Sequence, residues 1–168
     1  DAPQLGSLIH LMLQHVDLSL PPEEAAEETA ARLLRQGFIT EAQAAAVPRG
    51  QVTRFLTSPL CERMRQAKRV WREVPFNIDV SAAKLLNKPE YGQRTVLLQG
   101  VIDCMFEEDG GIVLVDYKTD SAKKSLEELT ARYRLQLECY TLAAQRITGK
   151  PVRARYLAFL RHGKTVQV

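Results

Sequence analysis

What this 168-residue chain lacks already narrows its reading. No wholly apolar run approaches the ~20 residues that a membrane-crossing helix requires, and stretches such as Ile112 to Val115 are far shorter, which excludes a helical span. Cysteine is scarce: Cys61, Cys104 and Cys139 are odd in number, widely spaced and without a CxxC pair. That pattern suggests neither a disulfide framework nor a zinc or iron–sulfur knuckle, and it makes a reducing cytosol the expected compartment. No charged-then-apolar leader opens the chain, and its first residue is Asp1 rather than Met, as expected of a piece of a longer protein. There is no Gly-x-x-x-x-Gly-Lys-Ser/Thr loop, so no ATP site is expected here. Internal repeats and low-complexity segments are also missing. An excess of one charge sign is slight: a formal net charge of +3 permits nucleic-acid binding without arguing for it.

What is present suits one globular domain. A hydrophobic share of 45% is enough to bury a core at this length. Leu5, Leu8, Ile9, Met12, Leu13 and Val16 recur at spacings of three and four, which predicts an amphipathic helix with His10 beside its stripe. A second helix is predicted from Pro22 to Gly37, a third from a Thr40–Gln43 capping box, and a fourth from Ser58-Pro59. From Val70 the period changes to two, which predicts a strand through Phe76, and residues 82–94 read as an irregular connection. Two apolar segments, Thr95 to Phe106 and Ile112 to Tyr117, flank an Asp109-Gly110 hairpin signal. Both are so continuously apolar that central strands covered on both faces are expected. A long helix from near Ser125 to Gly149, a strand over 152–160 and a short terminal piece complete an α/β order. Two basic clusters stand out, Arg63, Arg65, Lys68, Arg69 and Arg72, then Arg153, Arg155, Arg161, His162 and Lys164. A solvated face and a nucleic-acid surface are both open readings for them.

Ionisable residues are expensive inside apolar strands, and both inner strands carry them. Asp103 follows Gly100-Val101-Ile102; Asp116 and Lys118 flank Tyr117 and point to one side, because strand residues two apart share a face. In an antiparallel hairpin Asp103 can face Asp116, being about equally far from the turn. Two carboxylates together in a poorly solvated place stay ionised when a cation sits between them, and Mg²⁺ prefers such oxygen ligands. Lys118 beside that ion could position a water or stabilise charge on the pentavalent transition state. The competing structural reading is a buried Asp–Lys ion pair.

Gly100-Val101-Ile102-Asp103, Asp116-Tyr117-Lys118-Thr119 and Gln136-Leu137-Glu138-Cys139-Tyr140, with Gly6-Ser7-Leu8-Ile9-His10 upstream, resemble the motif set of RecB-family PD-(D/E)xK nucleases. The nearest likeness is to the C-terminal nuclease domains of AddA-type subunits of bacterial AddAB helicase–nucleases. It extends over nearly the whole chain and includes Arg72-Glu73-Val74-Pro75-Phe76 and the stretch around Gln36-Gly37-Phe38-Ile39-Thr40. The resemblance implies an α/β, restriction-endonuclease-like core, with a central mixed β-sheet flanked by helices and an N-terminal helical cap. It implies a single nuclease domain over 1–168, with a helical part to 69 and a catalytic core from 70.

The same resemblance implies a Mg²⁺-dependent DNA exonuclease, with Mn²⁺ as a substitute, cutting single strands fed by a helicase during recombinational double-strand break repair. By motif position, His10, Asp103 and Asp116 would be metal ligands, Tyr117 would ligate through its backbone carbonyl, and Lys118 would be the catalytic lysine. Glu73 would lie near the metal, its alternative being a strand-face glutamate paired with arginine. Gln136 and Tyr140 would lie beside the centre and touch DNA, although Tyr140 read on propensity alone belongs to the core. Asp120 would cap or brace the loop after the strand. No iron–sulfur cluster is expected. Implied partners are single-stranded DNA ends, the helicase portion of the parent chain and an AddB-like subunit, in the bacterial cytoplasm. Two alternatives remain: a free-standing RecB-like exonuclease, and an inactive nuclease-fold domain serving DNA binding or the assembly of subunits.

Overall fold

The computed structural model describes residues 2–168; Asp1, where the sequence opens, lies outside the described residues. Five helices come first: α1 (Ala2–His15), α2 (Pro22–Arg35), α3 (Glu41–Ala46), α4 (Arg49–Leu56) and α5 (Pro59–Gln66). Strand β1 (Val70–Ser81), the single turn α6 (Ala82–Leu85) and a 3-10 turn at Pro89–Tyr91 follow. The chain then forms β2 (Thr95–Glu108), β3 (Gly111–Lys118), α7 (Leu126–Thr148), β4 (Val152–Phe159) and β5 (Lys164–Gln167).

Two compact units divide these elements. The helical unit holds α1 to α5 with residues 117–123 and 158–165. Its core is built on the apolar stripes of the helices, with Ile9, Met12, Leu13, Leu33 and Leu56 almost wholly buried. Pro22 opens α2, where its missing N–H leaves nothing unsatisfied. Thr40 and Gln43 form the full capping box expected for α3, with bonds of 3.2 and 2.8 Å. The expectation that Ser58 opens the fourth helix is corrected by α4, whose short stripe of Val52, Phe55 and Leu56 fits between Pro48 and Ser58. A two-turn helix offers too few repeats for its period to stand out.

The strand unit holds residues 68–116, 124–157 and 166–168. Its sheet runs β1-β2-β3-β4-β5. β1 and β2 are antiparallel from Val70–Phe106 to Ser81–Thr95, and β2 and β3 from Cys104–Val115 to Glu108–Gly111. The hairpin turns through Asp109 (φ 48) and Gly110 (φ 73), the two positive angles of a type I′ turn. Helix α7 then crosses over to β4. Ser125 caps its start by accepting from Glu128 N–H at 3.2 Å, and Gly149, left-handed at φ 68, ends it. β4 runs parallel to β3: Ile112 N–H donates to Pro151 C=O at 2.8 Å, and six residues on, Leu160 N–H donates to Lys118 C=O at 2.9 Å. The mixed sheet and flanking helices are those anticipated.

Two expectations about the strands change. β1 continues to Ser81, with Phe76, Ile78 and Val80 buried and Asn77 and Asp79 exposed. β3 is buried from Gly111 to Tyr117, as anticipated, but β2 is not covered along its whole length: Leu97 is 55% and Val101 40% exposed. β3 pairs with β2 only as far as Cys104, so residues 95–100 project with the second half of β1 as a two-stranded ribbon.

Gly111 sits where the hairpin meets the start of β4. A Cβ there would lie 2.9 Å from the Pro151 carbonyl oxygen and would also meet the Arg153 side chain. Gly111→Ala is therefore expected to cost about 1–3 kcal/mol, read as a lower urea midpoint with an unchanged slope.

Candidate active site

Asp116 is carried inside the most buried strand of the molecule. At 2% exposure it is, among the described residues, the one charged side chain in the buried class. The β2–β3 register that ends at Cys104–Val115 brings Asp103 abreast of Asp116 when continued by one residue. On the other side of β2, the pairs Arg72–Cys104 and Val74–Ile102 bracket Glu73 and Asp103 and set them opposite each other. Cross-strand partners in antiparallel sheets share a face. Accordingly a carboxylate oxygen of Glu73 lies within 4.8 Å of one of Asp103.

Glu73 reaches this position at a cost. Its φ of 51 is left-handed, a region that costs a non-glycine residue roughly 1–2 kcal/mol. Strain of this kind persists where the surroundings over-determine it, and here both flanking residues are fixed by pairing to β2. Two carboxylates at such a distance repel by about 3 kcal/mol at an effective dielectric near 20. A hard cation with oxygen preference would turn that repulsion into attraction, and the donor set suits one.

Helix α7 faces this acidic row with Gln136 and Tyr140. Separated by four, they lie on one side of the helix, and Gln136 Nε2 donates to the Tyr140 hydroxyl oxygen at 3.0 Å. The Tyr140 ring, 8% exposed, stands edge-on to Phe76 with centroids 5.7 Å apart. Phe76 in turn lies over Gly100, where a Cβ would fall 2.9 Å from its ring. Burial raises the Tyr140 pKa far above the ordinary tyrosine range, and the charges of Asp116 and then Asp103 raise it further, while the Gln136 bond pulls the other way. Both aspartates therefore lie near enough to act on this hydroxyl, which keeps its proton.

In the helical unit, a second group of the expected residues is assembled. A Cβ on Gly6 would lie 2.8 Å from Thr119 Oγ1, so glycine allows α1 to approach the segment after β3 closely. One turn later, His10 stands edge-on to the Tyr117 ring, with centroids 6.0 Å apart, and Phe55 meets the same ring at 5.2 Å. The Lys118 carbonyl accepts from Leu160, and carbonyl directions alternate along a strand, so the Tyr117 carbonyl turns away from β4.

Of the anticipated residues, the strand unit gathers Glu73, Asp103, Asp116, Gln136 and Tyr140, and the helical unit holds His10, Tyr117 and Lys118. Sequence reasoning did not find the left-handed backbone of Glu73, for which no residue type gave a signal. It also passed over the Phe76–Gly100 pair, although a glycine opposite an aromatic on paired strands is a readable sign of close approach.

A family model for the PD-(D/E)XK nuclease superfamily matches residues 1–167. The chain is similar to three bacterial proteins named as the A subunits of ATP-dependent helicase/nucleases. It is 38% identical to that of Desulforamulus reducens over 97% of this chain and 13% of the relative. It is 40% identical to that of Acetivibrio thermocellus over 95% and 13%, and 40% identical to that of Clostridium botulinum strain Loch Maree over 90% and 12%. The chain thus spans about one eighth of the length of these relatives.

A tyrosine whose folded pKa is raised contributes stability that is complete below the unfolded pKa and is lost as pH climbs toward the folded one. Above the ordinary tyrosine range, about pH 10, urea midpoints of the native chain should fall with pH, and those of Tyr140→Phe should fall less steeply. Parallel slopes would show that Tyr140 titrates as an ordinary phenol.

Proposed function

This chain belongs to the PD-(D/E)XK nuclease superfamily, and from that premise we propose that it hydrolyses DNA phosphodiesters with Mg²⁺ held by Asp103 and Asp116. One observation carries the proposal: the strand registers align Glu73, Asp103 and Asp116 across three neighbouring strands, and the last is buried. Such acids are costly without a cation and suited to one. When bound, a divalent ion supplies Lewis-acid polarisation of the phosphodiester and neutralises its charge.

The chain's own groups do the rest. Glu73 adds a third oxygen donor close to Asp103. Tyr140, kept protonated, donates a hydrogen bond to a phosphate oxygen, and Gln136 fixes the direction of that hydroxyl. His10 as a further ligand, Tyr117 as a carbonyl ligand and Lys118 as the lysine that stabilises charge on the reacting phosphoryl are proposed from their place in the motifs. The wider setting is proposed too. It comprises a bacterial cytoplasmic helicase–nuclease whose helicase portion, in the same parent chain, feeds single strands to this domain. An AddB-like subunit would be its partner in recombinational repair. The names of the relatives support the helicase–nuclease part of that setting.

Labelled single-stranded DNA tests the activity. Cleavage is expected with Mg²⁺ or Mn²⁺, none with EDTA, and losses on the order of 100- to 1,000-fold in Asp116→Asn and Lys118→Ala. Retention of DNA without cleavage under any divalent ion would instead favour an inactive binding domain. A second measurement reads the acidic row without turnover. In EDTA, Glu73→Gln should raise the melting temperature, because it removes a repulsion of a few kcal/mol at most. Added Mg²⁺ should stabilise the native chain more than this variant. Equal gains in both would remove Glu73 from the ion's surroundings.

A further inference from the structure

The helical unit contains a cavity of about 270 Å³ that none of the proposed chemistry uses. Its floor is apolar: Phe55, Phe159 and Leu160 are at most 5% exposed, and Ala158 is wholly buried. Its rim is polar and of one sign. Arg54 and Lys164 both line it and are exposed, and neither forms an ion pair among the described residues. Arg54 is held at the mouth by lying across Gly163, where a Cβ would come 2.5 Å from its Cδ and where φ is +62. Gln51 also lines the cavity.

Each feature asks something of an occupant. An apolar cavity of this size takes one flat group rather than an extended ligand. Two uncompensated cations at its mouth call for a phosphate. A flat, largely apolar body attached to a phosphate describes a nucleotide.

We propose that this cavity is a nucleotide subsite, taking one base of a single DNA strand on its apolar floor. Arg54 and Lys164 meet the adjoining phosphate. The inference rests on the nuclease reading for the identity of the ligand, but its test requires no cleavage. All the residues it invokes lie outside the acidic row, and a lone anion would leave the apolar floor unexplained.

Binding of fluorescent oligothymidylate is measured by anisotropy in EDTA, beside an abasic strand of equal length and charge. The native chain is expected to bind the base-bearing strand about tenfold more tightly than the abasic one. Arg54→Ala and Lys164→Ala, at exposed positions that leave the core intact, should weaken both strands and each lower the salt slope by about one. The proposal is overturned if base-bearing and abasic strands bind alike, as they would were the cavity kept for a protein segment. It is equally overturned if the Arg54→Ala/Lys164→Ala double variant binds within twofold of the native chain at an unchanged salt slope. Absence of Mg²⁺-dependent cleavage in the native chain would sink the nuclease reading while leaving this binding comparison interpretable.

Discussion

Like charges held in line across a sheet are the constraint on which the strand unit turns. Glu73, Asp103 and Asp116 occupy matching positions on β1, β2 and β3. A packed sheet gives such groups little freedom to escape one another, because moving a side chain off its face requires shifting the register of a whole strand. The register here is fixed by long apolar pairing on both sides of β2, with Ile102, Cys104, Met105 and Phe106 buried. The approach of Glu73 to Asp103 is thus imposed by the hydrophobic pattern, and the left-handed backbone at Glu73 is a local accommodation to the same pairing. Strained backbone next to clustered charge is the usual physical mark of a site selected for chemistry rather than stability.

A different principle organises the helical unit's share. There the residue after the buried aspartate, Tyr117, is clamped between two rings, His10 from α1 and Phe55 from α4. Clamping an aromatic ring fixes the backbone that carries it, and so fixes the peptide groups before and after. Gly6 makes the clamp possible, since any side chain there would press on Thr119. The spacing of Gly6 and His10, one helical turn apart, therefore has a steric explanation independent of any metal.

Legibility in the sequence followed the strength of each local signal. The hairpin was readable because Asp109-Gly110 is one of few dipeptides that accept two positive φ angles, and the apolar segments beside it fixed Asp103 and Asp116 at matching distances. Asp103 and Asp116 stood out as ions inside apolar strands. Gln136 and Tyr140 rested on motif likeness and on helical spacing, which the hydrogen bond between them satisfies. Helix α4 was hidden by its brevity, and with it the cavity lined by Gln51, Arg54 and Phe55. The exposed half of β2 was misjudged because continuous apolarity reads alike in a central strand and in a ribbon whose outer face stays open. Only the reach of the neighbouring strand, a non-local fact, tells them apart.

Tyr140 shows how one set of charges can serve two ends. Burial first, and then the carboxylates that invite a cation, hold this phenol in its neutral form, because ionising it would put a charge into a poorly solvated place already crowded with negative ones. A neutral phenol is a hydrogen-bond donor, and Gln136, by donating to its oxygen, leaves the Tyr140 proton as the group's outward offering. A phosphodiester approaching such a surface would meet a donor where an ionised phenol would repel it. The acids and the tyrosine are therefore not separate endowments. The register that lines up the carboxylates also adds to burial in keeping neutral the residue that stands beside them.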